Sequence, residues 1–147
     1  MAVTLKIKRT NELAKLPYHG SEYAAGYDLY AATSYRIEIE PHKAVKIDTG
    51  LIMEIPVGYF GGIFPRSGIA TKRGLRLSNC TGVVDSDYRG IVSVCLHNDT
   101  NEPQYIEPGE RIAQLIILPY LPVEFEEVDE LSETERGDGG FGHTGTH

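Results

Sequence analysis

Tryptophan is absent from this chain of 147 residues, and cysteine, methionine and phenylalanine are scarce. Two cysteines, Cys80 and Cys95, are too few to hold a structural zinc ion by themselves. The first residues carry no basic, apolar stretch of the kind that directs secretion, so a reducing, cytoplasmic location is expected. No apolar run approaches the length of a membrane span; Leu115-Ile116-Ile117-Leu118 stops at Pro119. Basic excess is also missing. The formal net charge is −7, and seven acids with no base among them crowd into residues 124–135. Outside that run 14 acids face 14 bases, so the body has no diffuse positive field for nucleic acid. Any anion it binds must be held by a few placed groups.

What is present is 41% hydrophobic residues in short alternating runs, enough for one ordinary globular core. Apolar and polar residues alternate over 3–9, 35–40 and 44–48. Residues 51–55 and 59–64 form two more short runs, split by Pro56-Val57-Gly58. Residues 111–118 predict a strong strand and 121–128 a last one, whereas 13–23 are irregular and 98–108 read as a polar connection. One interruption, 67–73, predicts a turn or two of helix. Short strands at roughly eight- to twelve-residue spacing indicate an all-β fold, a distorted jelly-roll barrel or sandwich with one short helix. The predicted division is a core over 1–128 and an acidic linker with a glycine-rich arm over 129–147.

Five stretches could carry chemistry. In A-G-Y-D-L at 25–29, Asp28 interrupts an apolar strand, where it is either a turn carboxylate or a partner for a hydrated cation. In P-R-S-G at 65–68, a helix opening at Ser67 would aim backbone N–H groups outward beside Arg66, a setting for an anion; plain capping by Ser67 is the simpler alternative. In G-V-V-D-S-D-Y-R-G at 82–90, two strands and a charged tip predict a β-hairpin bearing Asp85 and Asp87 on one face. In G-E-R-I-A-Q at 109–114, Gln114 needs a partner, either backbone or ligand. In R-G-D-G-G-F-G-H-T-G at 136–145, glycines allow amides to converge on phosphate and Phe141 offers a stacking ring. Each alone also fits an ordinary turn, cap or tail.

Together and in this order, the five resemble the motifs of the trimeric dUTP pyrophosphatases, the dUTPases, over nearly the whole chain. The third and fifth are specific; the first and fourth are weak alone. The resemblance implies a jelly-roll homotrimer with shared active sites, hydrolysing dUTP to dUMP and pyrophosphate with Mg2+. It implies that Asp85 activates the attacking water. Tyr88 would pack on the deoxyribose and exclude a 2′-hydroxyl. Asn79, Gly82, Val83, Val84 and the backbone at Ser93 would line the uracil slot. Arg66, Ser67, Gly68 and Gln114 would hold phosphates, and Asp28 would reach the magnesium through its water. From the arm, Arg136 would reach the γ-phosphate and Phe141, followed by Gly142, would cover the uracil. Asp87 and Arg89 are expected to hold the hairpin's shape or the subunit contact. His143 departs from the family's usual Ser or Thr. No nucleic-acid or membrane partner is expected. The fold is shared with dCTP deaminases, but the Asp85–Tyr88 stretch and the arm favour the dUTPase assignment. A nucleotide-gated binding protein on the same fold has no insertion here to mark a partner surface.

Overall fold

The computed structural model describes residues 3–141. Twelve strands and one helix follow in chain order, and every strand pairing is antiparallel. A five-stranded sheet contains β2 (Tyr18–His19), β3 (Tyr27–Tyr30), β12 (Arg111–Pro119), β7 (Tyr59–Phe64) and β9 (Gly82–Val84), in that spatial order. A three-stranded sheet contains β5 (Ala44–Asp48), β10 (Ser93–Asn98) and β8 (Leu75–Leu77). Two-stranded pairs, β1 (Lys6–Arg9) with β6 (Leu51–Glu54) and β4 (Ile37–Ile39) with β11 (Gln104–Ile106), complete a jelly-roll-like β fold.

Alternation decides which face is buried. In β10, Val94, Leu96 and Asn98 point inward while Ser93, Cys95 and His97 stay partly open. In β5, Ile47 is buried while Ala44, Lys46 and Asp48 face out. One contiguous cluster forms the core, with Leu29, Ile63, Ala113 and Leu115 from the large sheet and Ile47, Leu75, Leu77, Val94 and Leu96 from the smaller one. Two described residues buried with it are polar, Thr49 and Asn98, and Asn98 is the fully enclosed one. Its amide donates to the carbonyls of Ile39 and Glu102, and its oxygen accepts from Thr100, so its burial is compensated.

The helix, α1, runs Ser67–Arg73 and buries Ile69. Its N-cap is Arg66, extended at φ −91° and ψ 130°, with no side-chain cap bond. Ser67 therefore does not cap the helix; instead its carbonyl accepts from the Thr71 hydroxyl at 2.7 Å. Gly74 closes the other end in the left-handed region at φ 61°, where glycine carries no Cβ penalty.

Four expectations are corrected. The stretch around 82–90 is not a hairpin. β9 pairs with β7, whereas β10 pairs with β5 and β8, so the two arms belong to different sheets. The polar connection 98–108 contains β11, which pairs with β4 through Gln104, Tyr105 and Ile106. The strand expected over 121–128 does not form. Leu121, Val123 and Phe125 are exposed, because alternation prescribes a face but supplies no partner edge, and Pro122 removes a donor. The N-terminal strand is also shorter than its pattern, since only Lys6–Arg9 finds a partner.

Candidate active site

A cleft of about 300 Å3 opens where β9 leaves the large sheet and the chain crosses to β10. Seven of the expected residues line it: Asn79, Gly82, Val83 and Val84 on one side, then Asp85, Tyr88 and Ser93. The local chain explains how. Val84 is buried and anchors β9, and Asp85 follows at the point where pairing ends. The Tyr88 amide donates to the Asp85 carbonyl at 3.2 Å, closing a turn that breaks strand alternation. Asp85 and Asp87 share a neighbouring hollow with Phe60, Ser86 and Tyr120, but only Asp85 also lines this cleft. Arg89 donates to the carbonyls of Ser86 at 2.7 Å and Tyr88 at 3.1 Å, so its cation braces the turn.

Tyr88 folds back over the end of the turn and donates to the Ile91 carbonyl at 3.2 Å. A Cβ on Gly90 would overlap the Tyr88 hydroxyl and lie within 2.9 Å of its ring, so only glycine admits this ring position. Past Ile91, Val92 is buried and fixed: its amide donates to Leu51 at 2.8 Å, and its carbonyl accepts the Thr49 amide at 3.1 Å and hydroxyl at 2.7 Å.

A second assembly joins three of the other stretches. Asp28 on β3 accepts Arg66 Nε at 3.0 Å with one carboxylate oxygen and Arg111 Nη1 at 2.9 Å with the other. Arg66 also donates to the Arg111 carbonyl at 3.2 Å. Gln114, the register partner of both Asp28 and Phe64, donates to the Pro65 carbonyl at 2.9 Å. One amide hydrogen of Gln114 thus pins the bend before Arg66, and the other stays available. Gly26 is required beside it, since a Cβ there would overlap Gln114 Oε1. Ser67 and Gly68 follow Arg66 at the exposed start of α1, with open space around Gly68.

Arg111 and Lys46 are absent from the sequence-based set. A carboxylate in an apolar strand signals that a cation must face it, which could have located Arg111. Lys46 lines the cleft because β5 alternates, placing it on the outward face with Asp48.

Within one chain the two assemblies stay apart: Asp28, Arg66, Ser67, Gly68 and Gln114 do not line the Asp85 cleft. The described part of the arm, up to Phe141, joins neither. Arg136 Nε donates to the Gly139 carbonyl at 2.8 Å, and Phe141 is fully exposed. Gly142 and His143 lie outside the described residues.

The donor set bears on the metal. Among the described residues no three His, Cys, Asp or Glu side chains gather to hold an ion. Both oxygens of Asp28 already face guanidinium groups, yet each retains a second acceptor site. That suits an outer partner of a hydrated ion that brings its other ligands with it, as magnesium does with phosphates.

The dUTPase family model matches residues 12–145. A deoxyuridine 5′-triphosphate nucleotidohydrolase of Syntrophotalea carbinolica is 44% identical over 143 residues, covering 97% of each chain. One of Nautilia profundicola is 48% identical over 141 residues, covering 96% of this chain and 98% of its own. Among solved structures, the Staphylococcus bacteriophage 80alpha dUTPase with dUPNHPP superposes with a TM-score of 0.90 at 31% identity, covering 99% of this chain and all of that one. A mutant dUTPase from phage phi11 of S. aureus, which coordinates a structural Mg(II) ion, superposes at 0.79 with 27% identity, over 87% and 98% of the two chains. Family and neighbour together point to a divalent metal.

Proposed function

This chain belongs to the dUTPase family, and we propose that it hydrolyses dUTP to dUMP and pyrophosphate by attack of water on the α-phosphorus. The observation that carries the reading is the cleft. It gathers Asn79, Gly82, Tyr88 and Ser93 around Asp85, the one carboxylate lining it among the described residues.

Asp85 is the general base. Its backbone is fixed by β9 on one side and by the turn to Tyr88 on the other, while its carboxylate stays open to a water. Tyr88, held down on Ile91 by its hydroxyl, is the floor for the deoxyribose and leaves no room for a 2′-hydroxyl. Asn79 and the backbone of Gly82, Val83, Val84 and Ser93 read the uracil edge. A slot fitted to that edge rejects cytosine by leaving buried groups unpaired.

Arg66, Ser67, Gly68 and Gln114 hold the phosphates. Arg66 offers a guanidinium already oriented by Asp28 and by the Arg111 carbonyl, which lowers the cost of placing it. Arg136, Phe141 and Gly142 close the site from the arm. Asp28 would hold a hydrated Mg2+ through its water shell, and the ion would supply positive charge against the phosphates.

The separation of the Asp85 cleft from the Arg66 assembly supports a homotrimer whose sites are shared between copies. A long exposed segment after Pro119 suits reaching a neighbour. The free thiols of Cys80 and Cys95 suit a cytoplasmic setting.

Pyrophosphate release by the purified protein, compared for dUTP, dCTP, dTTP and UTP, tests the activity. Asp85→Asn should bind dUTP and fail to turn it over; full turnover by that variant would sink the mechanism.

A further inference from the structure

One cation of the cleft has no part in the reading above. Lys46 lines the cleft together with Asn79, Asp85 and Ser93, and it is the sole lysine or arginine there among the described residues. Its nearest acid along β5 is already engaged: Ser93 Oγ donates to Asp48 Oδ1 at 2.6 Å. Among the described residues Lys46 makes no ion pair; the seven ion pairs found involve other side chains.

Strand pairing tells which end of the cleft Lys46 occupies. Lys46 is the register partner of Cys95 on one edge of β10. On the opposite edge, the Ser78 amide donates to the Cys95 carbonyl at 2.9 Å, which brings the next residue, Asn79, to the same level. Tyr88 attaches lower down, through its bond to Ile91, with Ser93 between the two levels. The cleft therefore runs from Tyr88 at one end, past Ser93, to Asn79 and Lys46 flanking β10 at the other.

We propose that Lys46 is a specificity-determining residue whose ammonium donates to a carbonyl oxygen of the pyrimidine and selects a 4-oxo base over a 4-amino base. The inference rests on the assignment of dUTP as substrate, with the sugar on Tyr88 and the base beyond it. An ammonium has three donors and no acceptor. It pairs with the C4 oxygen of uracil, whereas the amino group of cytosine turns a donor toward a donor. Backbone groups can read the same edge, but a cation adds discrimination because a charged donor is stronger and leaves a larger penalty when unmatched.

The test is Lys46→Met, which keeps the apolar stem and removes the charge. Because Lys46 is exposed, the urea midpoint should stay at the wild-type value. Calorimetric affinity for deoxyuridine, which carries no phosphate, should fall on the order of tenfold, and KM for dUTP should rise by about the same factor with kcat little changed. The ratio of kcat/KM for dUTP over dCTP should narrow by a similar amount, and Lys46→Arg should restore part of it. An unchanged affinity for deoxyuridine with a loss confined to the triphosphate would place the cation on phosphate and overturn the proposal. Equal losses for dUTP and dCTP would overturn it too. Wild-type protein that neither hydrolyses dUTP nor binds deoxyuridine would remove the activity and this inference together. Wild-type turnover with an indistinguishable Lys46→Met removes the inference alone.

Discussion

Asp28→Asn separates two roles that one carboxylate could play. The side chain is 17% exposed, and its partners Arg66 and Arg111 are 29% and 41% exposed. A hydrogen bond to a charged group contributes about 1.5–3 kcal/mol. The contact with the more exposed Arg111 is discounted to under about 1 kcal/mol for solvent screening. Asparagine keeps one acceptor for one guanidinium and turns an N–H toward the other. The expected loss of stability is therefore about 2 kcal/mol if Arg66 loses its oxygen and under about 1 kcal/mol if Arg111 does. The catalytic effect follows from Arg66, which keeps its bond to the Arg111 carbonyl but loses its charged anchor. A guanidinium free to rotate should cost on the order of 10- to 100-fold in kcat/KM. The assay pairs urea unfolding at fixed protein concentration with steady-state pyrophosphate release across a magnesium titration. Saturating magnesium should recover only the part of the deficit owed to the metal and leave the part owed to Arg66. Full recovery by magnesium, with an unchanged unfolding midpoint, would refute the view that Asp28 anchors arginine.

Three further outcomes are expected. Gly90→Ala should push the Tyr88 ring off its seat, so the dUTP-over-UTP preference in kcat/KM should fall at least several-fold; a preserved preference would separate Tyr88 from sugar selection. Truncation after Glu135 removes no buried residue among those described, so far-UV circular dichroism and the unfolding midpoint should match the full chain while turnover drops sharply, and undiminished turnover would exclude the arm from the site. On β1, Lys6 hydrogen-bonds Glu54 at 3.0 Å and, with its charge, holds that carboxyl below the ordinary carboxylate value. Lys6→Met should shift the Glu54 titration upward by NMR; the ion pair is lost as pH falls through the folded value, so an unmoved titration would show the pair to be absent in solution.

The elements best read from sequence are those with punctuation at both ends. β7 and α1 occupy their expected residues because Pro65 stops one and Gly74 the other. β2, β8 and β11 escaped notice since two or three residues are too few to establish a period; their partners across the fold create them. The error at 82–90 has the same origin. Two adjacent strands with a turn between them invite local pairing, and long-range partners on β7 and β5 take both away. For the site, composition and order located the residues, while their grouping came only from the fold. Arg111 carries no signal of its own in the sequence; the fold brings its guanidinium to Asp28, although register pairs its backbone with Tyr30. Lys46 looked like one polar tooth of an alternating strand until β10 lay beside it.

The crossing from β9 to β10 has a consequence for how selectivity responds to temperature. One wall of the cleft hangs on the large sheet, and the other is tethered through Val92 to Thr49 and Leu51. The width of the slot is therefore a property of the packing between Ile63, Val84, Ile47 and Val94 rather than of the turn that bears Asp85. A substitution that loosens this interior acts as a change of gauge: it widens the opening without touching a substrate contact. Discrimination among nucleotides should then erode below the melting transition, while overall turnover still rises with heat, and fidelity becomes an early readout of core integrity.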